Sequence, residues 1–175
     1  MRVLVSGAAN ILEERGLLQH QRQDHPGRTI DHVETLLGTP LPEDLTDFYR
    51  ARIKSIGAFE AVAPLWTERA GWKTPDWEIT QLKGVQAAPL FYDGCGSLFG
   101  LDLSAPDRVP AVYFFDHEDR FSRPHWAAGS SLGAFLLLLA EYDQARDEAR
   151  APGWELSIDP DIDKCSRAPA IWDAG

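Results

Sequence analysis

The chain is poor in cysteine, poor in positive charge and free of long apolar runs, and each shortage removes a class of protein. Its two cysteines, Cys95 and Cys165, build neither a disulfide framework nor a zinc quartet, so the thiols are read as reduced and the fold must rest on its core. Lys and Arg number 17 against 27 Asp and Glu, a net charge of −10. That balance argues against nucleic-acid binding, because phosphate contacts need clustered cations. The longest apolar run, Phe135-Leu-Leu-Leu-Leu-Ala140, falls far short of the roughly 20 residues that span a bilayer. The opening Met1-Arg-Val-Leu-Val-Ser-Gly-Ala-Ala9 has one positive charge and too short an apolar run for a secretory leader. The expectation is a cytoplasmic protein that engages neither membrane nor nucleic acid.

What is present suffices for one core. A chain of 175 residues, 44% of them hydrophobic and six of them Trp, buries about 70% of its unfolded surface in one domain. No internal repeat or low-complexity linker divides residues 1–175. The acidity is uneven. From Glu141 to Asp163 eight acids face only Arg146 and Arg150, which suits a solvated face or a basic partner.

Apolar spacing and turn chemistry order the elements. Residues 8–22 fit an amphipathic helix through Ile11, Leu12 and Leu18, weakened by Gly16. After the break at His25-Pro26-Gly27, Thr29 caps a helix carrying Ile30, Val33, Leu36 and Leu37, stopped by Gly38. Pro42 opens a second helix, with Glu43 and Asp44 at its positive end and Leu45, Phe48, Tyr49 and Ile53 buried. Trp77–Leu82 alternates as a strand. Pro89–Tyr92 and Ser97–Leu103 flank Asp93-Gly-Cys-Gly96 as a hairpin, and Ala111–Phe115 is a further strand. Ser130 or Ser131 caps a helix reaching about residue 148, with Leu132, Phe135, Leu136, Leu139 and Tyr142 inward. Pro152-Gly153 ends it, and Trp154–Ile158 reads as a returning edge strand. The class is α+β: an antiparallel meander packed with helices from the N-terminal part and one C-terminal helix.

Several clusters carry residue types that could support chemistry. Asp116-His-Glu-Asp119, with His125 nearby, offers ligand types, but neighbours on a strand point to opposite faces, and a metal needs three convergent ligands. Asp159-Pro-Asp-Ile-Asp163 fills positions one, three and five of a calcium loop, yet Lys164 and Ala170 stand where that loop needs Gly and Glu. Asp93-Gly-Cys-Gly96 lacks the lysine and following helix of a phosphate cradle, and its glycines suit a hairpin needing positive φ. Cys95 as a nucleophile would need a positioned base, and His117 would have to reach it through the fold. No Gly-x-Ser has the glycine pattern of a nucleophile elbow. The sequence therefore predicts no catalytic residue, cofactor or metal. Trp77 and Trp126 are expected in the core. Trp66 and Trp72, on a Pro/Gly-punctuated segment, either enter the core or anchor a partner.

Four pieces in order carry a resemblance. They are Ile30–Tyr49 with its Leu41-Pro42 turn, the strand–glycine turn–strand Leu90–Leu103, the strand Val112–Glu118 with its Asp-His-Glu ending, and Ser130-Ser-Leu-Gly-Ala-Phe-Leu136. Together, across residues 29–142, the chain resembles the SUKH superfamily, which includes Smi/Knr-like regulators of cell-wall assembly and many bacterial immunity proteins. It departs from that pattern at Ser55-Ile-Gly57, where the family often has Asn-Gly, and at Leu132-Gly133, where it favours Phe and a polar residue. The resemblance implies a core at 29–142 with extensions on both sides, and a non-enzymatic protein-binding domain. The function it implies is an immunity protein that masks a basic toxin domain, such as a nuclease. The alternative is a housekeeping scaffold or regulator of an endogenous partner. The expected partner surface is Asp93, Asp116, Glu118 and Asp119, with Trp66 and Trp72 as anchors.

Overall fold

The computed structural model describes residues 3–21, 26–62, 76–145, 150–170 and 172. Trp66 and Trp72 lie outside them. Among the described residues two antiparallel sheets and five α-helices share one core, the α+β class expected from the sequence. No helix among the described residues is long and apolar enough to cross a membrane.

The first helix, α1 (Val5–Glu14), buries Val5, Ala8, Ala9 and Leu12, a stripe at helical spacing. It ends sooner than residue 22 because Gly16 turns left-handed at φ 69°, and β1 (Leu18–His20) follows. Helix α2 (Pro26–Leu37) starts ahead of Thr29 and stops before Gly38. Helix α3 (Glu43–Arg50) has Pro42 as its N-cap, acids in its first turn and Leu45, Phe48 and Tyr49 buried. Ile53 is buried, but in β2 (Ile53–Ile56) rather than on that helix. With β3 (Phe59–Glu60) these strands form a sheet in the order β1-β2-β3.

The segment read as a strand at Trp77–Leu82 is a helix, α4 (Asp76–Lys83). The alternation from Trp77 to Ile79 misled. The buried pair is Ile79 and Leu82, three residues apart and so on one helical face. Three strands of the meander follow as expected, β4 (Ala87–Tyr92), β5 (Leu98–Asp102) and β6 (Val112–Phe115), and the sheet is completed by β7 (Trp126–Gly129), where no strand was expected; they pair in that order. Pro89 sits on the edge strand β4 beside a register shift, where a missing N–H costs least. The sheet is covered on both faces. On one, Phe99 meets Phe135 of α5 (Leu132–Gln144) at 5.1 Å between ring centroids; on the other, Gly100 faces Leu82 and Phe115. Two-sided burial explains the unbroken apolar runs of β4 and β5.

Ser131 caps α5 by accepting from the Ala134 N–H at 3.2 Å. The helix ends at Gln144, with Ala145 as its C-cap, short of residue 148. Trp154–Ile158 is not an edge strand: Trp154–Ser157 forms a 3-10 turn after Gly153 at φ 75°. Its indole packs under Arg150, 5.0 Å away, and against Trp172. The edge of β7 is met instead by Pro169 and Ala170, the Ala127 N–H donating to the Pro169 carbonyl at 2.7 Å. The departure at Gly133 has a steric reason: a Cβ there would stand 2.2 Å from the Val3 carbonyl oxygen, so only glycine lets the N-terminal segment lie on α5.

Candidate functional site

The β4–β5 hairpin closes on Asp93. Its Oδ1 accepts from the backbone N–H of Cys95 at 2.7 Å and of Ser97 at 2.9 Å, the side-chain-to-backbone turn open to a short carboxylate. Gly94 and Gly96 take φ 88° and 106°, as a tight turn demands. Cys95 is exposed at its tip.

Across the sheet the β6–β7 loop is braced in the same manner. Asp116 Oδ1 accepts from the Glu118 N–H at 2.8 Å. The Phe121 N–H reaches the Asp116 carbonyl at 2.9 Å. Asp119 Oδ2 lies 2.6 Å from His125 Nε2 and accepts from Ser122 Oγ at 3.1 Å, while Oδ1 accepts from the Ser122 N–H at 3.2 Å. Burial is the largest single influence on the Asp119 carboxyl and pushes it up. The hydrogen bonds from His125 and Ser122, with the His125 charge, outweigh it and hold the group below its usual range. These contacts maintain Arg120 and Phe121 at φ 60° and 58°, a left-handed pair that L-residues rarely adopt.

The two loops meet through Ser97, which is buried. Its Oγ lies 2.9 Å from His117 Nδ1 and accepts from the His117 N–H at 3.2 Å. Asp116 Oδ1 approaches the same Nδ1 at 3.6 Å. A nucleophile relay needs the hydroxyl on one ring nitrogen and the carboxylate on the other, so Ser97, His117 and Asp116 are arranged as a brace. Among the described residues no three His, Cys, Asp or Glu side chains gather to hold a metal ion. Asp93, Asp116 and Asp119 therefore stand together at one end of the sheet with oxygens committed to loop geometry. Exposed Glu118 makes no side-chain hydrogen bond among the described residues.

Sequence reasoning missed the role of Asp159. This carboxylate is only 3% exposed and lies against the N-terminus of α5. It accepts from the Ser130 N–H at 2.6 Å, from Ser130 Oγ at 2.5 Å and from the Asp161 N–H at 3.3 Å. A negative group at the positive end of a helix is stabilising, and the first oxygen set of the supposed calcium loop is thereby occupied. Only the pairing of a Ser-Ser cap with a distant Asp-Pro-Asp could have signalled it. The rest of the C-terminal segment is pinned as well. Arg167 pairs with Asp102 at 2.7 Å and donates to the Val85 carbonyl at 3.2 Å, and Trp172 Nε1 donates to the Ala128 carbonyl at 3.2 Å. Burial, helped by the Asp159 charge and opposed by a hydrogen bond with Tyr113, pushes the Cys165 thiol up to about 11, away from nucleophilic use at neutral pH.

Two cavities share the β5–β6 connection. One, of about 290 Å³, lies between that loop, the start of α5 and Asp159–Cys165. The other, of about 520 Å³, lies between the loop and the Thr39–Asp44 connection. That Pro40, Pro42, Pro106 and Pro110 face one groove is a tertiary fact.

Compared with known proteins, the chain matches no curated protein and no solved structure significantly. One family model does match. It covers residues 27–136, from the start of α2 into α5, which is more than half of the chain, and its description is the SMI1 / KNR4 family (SUKH-1). The chain belongs to that family.

Proposed function

We propose that this domain is a non-enzymatic protein-binding module, and specifically an immunity protein that works in the cytoplasm by covering the functional face of a basic toxin domain. Membership in the SUKH-1 family carries the reading. The net charge of −10 supports it, since complementary charge accelerates encounter with a cationic cleft and disfavours like-charged partners. The acids at the sheet end contribute to that field. Glu118 is the one to test there, because Asp119 also holds the β6–β7 loop. Its reversal, Glu118→Lys, slows association at low salt while leaving the fold intact.

The decisive experiment is co-expression with the toxin domains encoded beside its gene. Protection of the cell and a purified complex are expected. No protection and no complex with any neighbouring toxin overturns the immunity reading, and constitutive expression from a locus without a toxin gene points to a regulator of an endogenous partner. Protection that survives His117→Ala and Cys95→Ala agrees with masking, whereas its loss in well-folded variants argues for chemistry at those residues.

A further inference from the structure

We propose that the groove between the Thr39–Asp44 connection and the Leu103–Pro110 loop receives an arginine- or lysine-bearing loop of the protein partner. The inference rests on the reading that the domain binds a protein. The groove, about 520 Å³, falls in the range of ligand sites, about 300–1,000 Å³. Leu41 and Leu103 lie partly buried in it and Val109 is 45% exposed at its rim, so aliphatic stems find apolar contact.

Its polar character is one-sided. Four acidic residues border it, Glu43, Asp44, Asp102 and Asp107, against the single cation Arg108, and of these Asp44 is buried, at 4% exposure. Asp102 already holds Arg167, but Glu43 and Asp107 are exposed and make no ion pair among the described residues. Four prolines, Pro40, Pro42, Pro106 and Pro110, complete the walls. Proline has no N–H to offer and carboxylates only accept, so the lining is rich in acceptors and poor in donors. The complementary guest is rich in donors and positively charged, as a guanidinium or an ammonium group is.

The walls are also set in advance. Proline fixes its own φ. The loop is tied at its base by the Leu103 N–H to the Gln86 carbonyl at 2.7 Å and by Asp102 N–H to the Ala111 carbonyl at 2.8 Å, with Arg108 N–H turning back to the Ala105 carbonyl at 3.1 Å. A receptor already in its bound shape loses little entropy on binding. The sheet-end acids offer less: Asp93, Asp116 and Asp119 already accept from backbone or His donors.

The test is an amide-shift titration of the full ¹⁵N-labelled chain, at low salt, with acetyl-Gly-Arg-Gly-Arg-Gly-amide and with the peptide bearing Glu in place of Arg. Shifts centred on Thr39, Leu41, Glu43, Leu103, Asp107 and Val109, with the arginine peptide alone, are expected. A charge reversal about 6–7 Å from a bound cation in water changes affinity about tenfold. Asp107→Lys therefore weakens peptide binding by about that factor and Arg108→Glu strengthens it by about the same. Neither position lies in a helix or strand, and a spectrum otherwise like that of the unmodified chain verifies folding. No shifts, shifts centred on Asp93 and Asp116–Asp119, or affinities indifferent to both substitutions overturn the proposal. A toxin held equally tightly by Asp107→Lys and by the unmodified chain overturns the groove and leaves immunity standing. Failure of the unmodified chain to protect against any toxin counts against immunity alone, since the titration needs no toxin.

Discussion

Replacing Asp159 tests whether the C-terminal segment is an energetic part of the fold. Alanine removes a buried carboxylate from the start of α5 and leaves the Ser130 N–H without its acceptor at 2.6 Å and the Ser130 hydroxyl without its acceptor at 2.5 Å. Hydrogen bonds to a charged group contribute about 1.5–3 kcal/mol each, and an orphaned donor adds its desolvation penalty. Because Ser130 retains some access to water, the lower end applies, and the total is about 3 kcal/mol. For 175 residues that lowers Tm by about 8 °C. Asparagine is milder. Its carbonyl still accepts from the Ser130 N–H, and the Ser130 hydroxyl turns to accept from the new amide. The charge at the helix end is lost, about 1 kcal/mol, and the Asp161 N–H gives up its long 3.3 Å bond to Oδ1. The assay is guanidinium denaturation followed by tryptophan fluorescence, with hydrogen exchange to locate the change. The midpoint falls in the order wild type, Asp159→Asn, Asp159→Ala at constant m, and exchange accelerates first in residues 159–170. An alanine variant within about 0.5 kcal/mol of wild type, or an asparagine variant as damaged as alanine, refutes the reasoning.

Other outcomes follow from the same geometry. Arg120→Gly stabilises the domain by about 0.5–1 kcal/mol by relieving an exposed left-handed residue; Phe121→Gly, at a residue only 2% exposed, does the opposite by about 3 kcal/mol or more. Both are read from denaturation midpoints. The depressed Asp119 carboxyl binds its proton less readily folded than unfolded, so its contribution is present above about pH 4 and fades as pH falls through the folded value. Asp119→Asn flattens the acid limb of a stability profile measured from pH 2 to 6, and an unchanged slope contradicts the assignment. Maleimide or iodoacetamide at pH 7.5 labels exposed Cys95 first, while Cys165, with its thiol raised to about 11, reacts slowly and faster with rising pH. Equal rates, followed by peptide mass spectrometry, would contradict the half-buried setting of Cys165.

Much of the fold was legible because local rules and tertiary demands coincide. The Leu41-Pro42 turn, the acids of α3, the Asp93–Gly96 hairpin and the Ser131 cap each have a short-range cause in the chain. Where two periodicities compete over few residues, the reading failed: Trp77–Leu82 supports alternation through Trp77 and helical spacing through Ile79 and Leu82, and packing against the sheet chose the helix. At Trp154–Ile158 the propensity for extension lost to a left-handed Gly153 and to the aromatic contacts of Trp154 with Trp172 and Arg150. The candidate site divided likewise. That Asp93, Asp116 and Asp119 would stand at strand ends was apparent, but that each binds its own loop needed atomic positions.

By itself the sequence determined the α+β class, the first three strands of the meander, the acidity and the family, because spacing, turn residues and charge are properties of short segments or of totals. Only the tertiary structure decided which carboxylates stand exposed and which hold the chain together. That depends on long-range neighbours: Ser97 beneath His117, Ser130 beside Asp159, Arg167 against Asp102. It also decided that prolines from two distant connections share a groove with the exposed acids Glu43 and Asp107, because residues more than 60 positions apart become neighbours only when the sheet has formed and the helices have closed on it.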